Sequence, residues 1–73
     1  MTSPLLKQLG TALRKRRIAA DYSQESFADY IGMHRTYYSA IERGEKNLQL
    51  DTLEKICKGL GCKPWEVLRD ADG

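Results

Sequence analysis

The stretch QESFADYIGMHRTYYSAIER, residues 24–43, decides how this 73-residue chain folds. Counting from Gln24, Phe27 and Ile31 are apolar at the fourth and eighth places, and small Ala28 stands at the fifth. Gly32 is ninth, and Met33, Tyr38 and Ile41 are apolar at the tenth, fifteenth and eighteenth. Two short helices that cross steeply impose this pattern. They need a small residue where the backbones touch, a glycine at the turn, and apolar side chains only on the facing sides. Ser23 precedes the first helix as its cap, with Ser26 rather than Glu three residues on, which predicts a cap without the reciprocal box. Gly32 ends that helix, and the second runs over about 34–43 before Gly44 closes it. On the second helix Tyr38 falls on the inward places, whereas Tyr37 points outward.

The flanking segments read as helices too. Ser3 is an N-cap with Pro4 at the first helical position, and Leu6, Leu9, Leu13 and Ala20 trace one face to about residue 20. Arg17 lies on that apolar stripe and must either snorkel outward or find a carboxylate. Leu50, Leu53, Ile56, Cys57 and Leu60 mark a fourth helix stopped by Gly61, with Glu54 and Lys58 as an i,i+4 pair on its outer side. Pro64 opens a last helix carrying Trp65, Val67 and Leu68. Five short helices, no strands and short connections predict a single compact all-α domain over residues 1–73.

Composition narrows the partners. A chain of this length buries only about 60% of its unfolded surface, so self-association would add stability. An apolar fraction of 41% and a charged fraction of 30% are those of a globular chain rather than a disordered one. No apolar run approaches the roughly 18 residues of a membrane span, and MTSPLLKQLG lacks the basic and apolar regions of a signal peptide. Cys57 and Cys62 sit among apolar helix positions, which reads as reduced thiols in a cytoplasmic protein. Residues 1–46 carry eight Lys/Arg against five acids, and residues 47–73 carry four against five. A polyanion would therefore bind the first two thirds of the chain.

The stretch at 24–43, together with SQESFADYIG, IERGEKN and LDTLEKICKGLG, resembles the helix-turn-helix of the Cro/C1-type (XRE) DNA-binding family over roughly residues 9–68. The resemblance implies a lambda-repressor-like domain in which helices 2 and 3 form the motif. Within the family, HRTYYSAIERGEKN is similar to the controller proteins of restriction–modification systems, small homodimers that bind palindromic operators and regulate their own gene and that of the endonuclease.

That resemblance assigns roles residue by residue. It places the N-terminal end of helix 3 in the major groove, where Arg35 can grip guanine through two parallel hydrogen bonds. Thr36 stands beside it as a base-reading candidate, and Tyr37 as a contact to base or backbone at the groove wall. His34 stands as a helix cap or phosphate-proximal group that could also reach a base, and Ala40 as an apolar contact on the groove side. Gln24 resembles the family glutamine that pins helix 2 to a phosphate, with Tyr30, Ser39, Arg43 and Lys46 as further backbone contacts. The family pairs the arginine matching Arg17 with the glutamate matching Glu42, which implies an ion pair that orients helix 3. The rest of the run Arg14–Arg17 reads as a solvated face. Trp65, Val67, Leu68 and Leu50 fall in the C-terminal region, about residues 50–70, where the family dimerises. Glu25 and Asp29, a like-charged i,i+4 pair on helix 2, match acidic residues that meet RNA polymerase in relatives that activate transcription.

Other classes fare poorly. One histidine, two helix-buried cysteines and no glycine-rich phosphate loop supply neither a nucleophile–base pair nor a metal set, so no catalysis and no cofactor are expected. A phage-type repressor, or a DNA-binding antitoxin whose main role is protein interaction, shares much of the vocabulary of residues 24–47 and stands as the alternative. A pure protein-interaction module predicts a recognition helix poor in Arg and Thr, the opposite of residues 34–37.

Overall fold

A computed structural model describes residues 3–72 and contains five helices in chain order. They are α1 (Pro4–Ala19), α2 (Gln24–Tyr30), α3 (Arg35–Glu42), α4 (Leu50–Leu60) and α5 (Pro64–Asp72). No strand occurs among the described residues. The extents are 27 × 23 × 20 Å, so no side chain lies far from the one core.

That core is aromatic where α2 meets α3. Phe27 and Tyr38, both fully buried, meet edge-on with ring centroids 5.3 Å apart, and Tyr22 tilts onto Phe27 from the other side at 5.3 Å. Leu13 from α1, Ile56 and Cys57 from α4 and Val67 from α5 complete it. Gly32 stands at φ +70 between α2 and α3, where a side chain would be strained. There the Gly32 and Met33 N–H groups donate back to the Asp29 and Ala28 carbonyls, and the chain turns directly into α3.

Several expectations need correction. The first helix ends where expected, at Ala19, but Ala20 is an exposed cap rather than the end of the apolar stripe. Asp21 takes the left-handed conformation at φ 69, which a short polar side chain tolerates, and the chain leaves the helix direction there. The box on α2 does form: Ser26 N–H donates to Ser23 Oγ, and Ser23 N–H donates to Ser26 Oγ, each at 3.0 Å. A serine hydroxyl has acceptor lone pairs of its own, so Ser26 closes the box without a carboxylate. Leu50 stands 77% exposed at the head of α4, off the monomer core. Glu54 and Lys58 are both exposed and make no ion pair.

The sequence does not announce how closely α1 approaches α3. A Cβ on Gly10 would lie 2.3 Å from the Glu42 carbonyl oxygen, so only glycine fits at that crossing. Glycine inside a helix costs about 1 kcal/mol relative to alanine, and the close contact is what it allows. The base of α3 is thereby seated on α1.

Candidate nucleic-acid interface

α3 divides along its length between an exposed head and a buried base. Tyr38, Ala40, Ile41 and Glu42 are buried, whereas His34, Arg35, Thr36 and Tyr37 are exposed in succession at its N-terminal end. His34 is the N-cap: its Nδ1 accepts a hydrogen bond from the Thr36 backbone N–H at 3.2 Å. A neutral ring with that nitrogen unprotonated is required, which fixes the tautomer of the cap.

The buried end of α3 is fastened by ions. Arg17 Nε donates to Glu42 Oε2 at 2.7 Å and Arg17 Nη2 to Glu42 Oε1 at 3.1 Å, a two-pronged pair with side-chain exposures of only 8% and 2%. Arg17 Nη1 donates to the Tyr22 carbonyl at 2.7 Å. Gln24 Nε2 donates to Glu42 Oε1 at 2.9 Å. Glu42 therefore ties α1, the α1–α2 turn and α2 to the recognition helix. Burial by itself pushes the Glu42 carboxyl up, but the hydrogen bonds from Arg17 and Gln24 and the charge of Arg17 hold it below its ordinary value of 4.5. The Tyr38 hydroxyl is buried against this pair without a hydrogen bond of good geometry, and burial next to Glu42 pushes its phenol well up.

The exposed end carries a second ion pair. Arg35 Nη1 lies 2.9 Å from Glu25 Oε2, with side-chain exposures of 62% and 65%. Arg43, just past α3, donates through Nη1 to Ser39 Oγ at 2.6 Å and pairs through Nη2 with Glu45 at 3.0 Å. Lys46 is exposed beyond it. Tyr30, 64% exposed, stacks on Tyr22 at 5.6 Å with the rings 19° apart.

Two residues sit otherwise than the sequence suggested. Ala40 is 6% exposed and forms the floor of a cleft walled by His34, Thr36, Tyr37, Arg43 and Lys46, so it has little surface to give a base. Val67 is fully buried in the monomer core and has no surface for a dimer contact. Of its neighbours, Trp65 is 59% exposed beneath the Arg69 guanidinium, and Leu68 is 38% exposed. Two residues along a helix turn it by about 200°, so Trp65 and Val67 face opposite ways and Val67 falls inward.

The basic run on α1 is more than a wet face. Arg16 bonds Asp70 at 2.9 Å and approaches Glu66 at 3.8 Å, which docks α1 on α5. Arg14 lines one cleft with Lys7, Thr11, Gln24 and Arg43, beside the face of α3, and the acids Glu42 and Glu45 share it. The spacing of Lys7, Thr11 and Arg14 at i, i+4 and i+7 is the sequence signal that would have found this. No cluster of three or more His, Cys, Asp or Glu suited to a metal occurs among the described residues, and Cys57 and Cys62 are free thiols. No helix among these residues is long and apolar enough to cross a membrane.

A pair of short helices joined at Gly32, the second anchored at its base and exposed at its head, defines a helix-turn-helix module. The helix-turn-helix family model matches residues 13–66. The chain is 47% identical over 66 residues to the control protein C.MunI of a Mycoplasma species, covering 89% of each chain. It is 42% identical over 69 residues to the control protein C.BamHI of Bacillus amyloliquefaciens, covering 93% of this chain and 85% of that one. Its fold superposes on the restriction-modification controller protein C.AhdI of Aeromonas hydrophila with a TM-score of 0.81 at 35% identity, covering 85% of this chain and 94% of the other. The chain belongs to the Cro/C1-type (XRE) helix-turn-helix family of transcriptional regulators, on the branch of the restriction–modification controller proteins.

Proposed function

We propose that this protein binds an inverted-repeat DNA operator as a homodimer and controls restriction–modification genes, its own included. The observation that carries the reading is the run of four exposed side chains, His34 to Tyr37, at the head of a helix whose other end is locked by Arg17–Glu42. A helix held this rigidly can present base-reading groups at little entropic cost. Arg35 reads guanine, Thr36 and Tyr37 contact neighbouring base edges, and His34 serves chiefly as the cap. Gln24, Ser39, Arg43, Lys46 and Tyr30 hold the backbone, with Arg14 and Lys7 added by the cleft they share with Gln24.

Dimerisation draws on the exposed apolar side chains of the C-terminal helices, Leu50, Trp65 and Leu68. Two recognition helices would then stand one DNA turn apart, about 34 Å. The similarity to control proteins of restriction–modification systems supports the regulatory target. Asp29, exposed on α2 and outside every ion pair of the described residues, is the carboxylate we assign to RNA polymerase.

Footprinting the purified protein on the DNA upstream of its own gene, at several salt concentrations, tests this reading. Protection over two symmetric half-sites that weakens steeply with salt is the expected result. Uniform or absent protection would overturn it, and would favour a protein-binding role.

A further inference from the structure

Glu25 and Arg35 are ten residues apart in sequence and belong to different helices of the motif, yet Arg35 Nη1 and Glu25 Oε2 stand 2.9 Å apart. Both side chains are more than half exposed, so the pair contributes little to the fold. Its consequence lies in what it does to the arginine. A free arginine samples many rotamers and grips any phosphate within reach, because its planar fork matches phosphate as well as guanine. Here one nitrogen is occupied from the α2 side, and the Nε/Nη2 edge has no partner among the described residues. That edge has the two parallel N–H groups that guanine O6 and N7 accept. The carboxylate also adds a negative charge beside the guanidinium, which lowers its attraction to phosphate more than to a neutral base edge.

We propose that Glu25 is the positioning residue for base readout: by holding Arg35 through Nη1 it presents the opposite guanidinium edge to one guanine and withholds it from the phosphates. This rests on the operator reading given above and names the residue that sets its specificity at one base pair. Glu25 is then committed to α3 rather than available to polymerase. Asp29, which lines the same cleft as Glu25 and Arg35, is the nearby carboxylate left for other contacts.

Selection of bound sequences from randomised duplex DNA, without polymerase, tests the proposal on the wild type, Glu25→Ala, Glu25→Gln and Arg35→Ala. Arg35→Ala identifies the base pair in each half-site that Arg35 reads. Glu25→Ala should lose preference at that same base pair by roughly fivefold or more while binding random DNA more tightly, since a bidentate contact discriminates by about that much at least. Glu25→Gln keeps an acceptor for Nη1 and should restore part of the preference without a change in melting temperature. Full preference at that base pair in Glu25→Ala overturns the proposal. So does Arg35→Ala with an unchanged preference, although a wild type that still selects an inverted repeat leaves the operator reading standing. A wild type that selects no sequence overturns both.

Discussion

The two ends of α3 carry the same chemistry in opposite settings. At its base, Arg17 and Glu42 pair with almost no exposure to water, and at its head Arg35 and Glu25 pair with about two thirds of each side chain exposed. The first pair acts on the fold, because a desolvated charge without its partner is costly. The second has little to give the fold, because water would solvate either charge nearly as well. A recognition helix needs both: one end that cannot move, and one whose charged group remains available to a partner.

The largest effect should follow from breaking the buried pair. Glu42→Ala leaves the Arg17 guanidinium buried without its carboxylate and is expected to destabilise the domain by about 3–5 kcal/mol, measured by urea unfolding. An unchanged unfolding midpoint would mean that water reaches Arg17 and that the two ends of the helix differ less than their geometry implies. The same pair should give the protein an acid limb. Glu42 titrates below 4.5 in the folded chain and near 4.5 when unfolded, so its contribution is complete above about pH 4.5 and fades as the pH falls through the lower folded value. Glu42→Gln removes this carboxylate, so the slope of stability against pH in that window should flatten.

Next in size is the seat beneath that pair. Gly10→Ala should be destabilising by about 1–3 kcal/mol, since its new Cβ meets the backbone of Ile41 and Glu42 rather than a yielding side chain. Helix propensity alone gives the opposite sign, by about 1 kcal/mol, so a thermal melt decides between the two effects.

At the exposed end the effects should move from stability to recognition. Arg35→Ala should melt with the parent and lose about 1–3 kcal/mol of discrimination at one base pair per half-site, read by competition binding with matched and substituted operators. Smallest of all, Glu25→Ala should change folding stability by less than about 0.5 kcal/mol. A larger loss would mean that the exposed pair also holds α2 against α3, and the contrast between the two ends would weaken.

Much of this was legible in one dimension. The apolar places of residues 24–43, the glycines at 32, 44 and 61 and the proline at 64 report helix starts, stops and facing sides, because these depend on local backbone preference and periodicity. The division between Tyr37 and Tyr38 followed from the same period, and the structure has Tyr38 fully buried and Tyr37 37% exposed. Arg17 on an apolar stripe had either to snorkel outward or to find a carboxylate, and the family resemblance supplied Glu42. Other features depend on distances across the fold that no local pattern encodes. Gly10 looks like any helical glycine until α3 lies on it, and Val67 reads as surface until α5 docks on α1 through Arg16. Glu25 reads as half of a repulsive pair with Asp29 until the turn at Gly32 swings Arg35 beside it. The helix starts and stops, the inward places Phe27, Tyr38 and Ile41 and the family were written in neighbouring residues. Which charges meet, and in how much water, was decided only by the packing of α1, α2 and α3, since the strength of an ion pair depends on the solvent that the fold leaves around it.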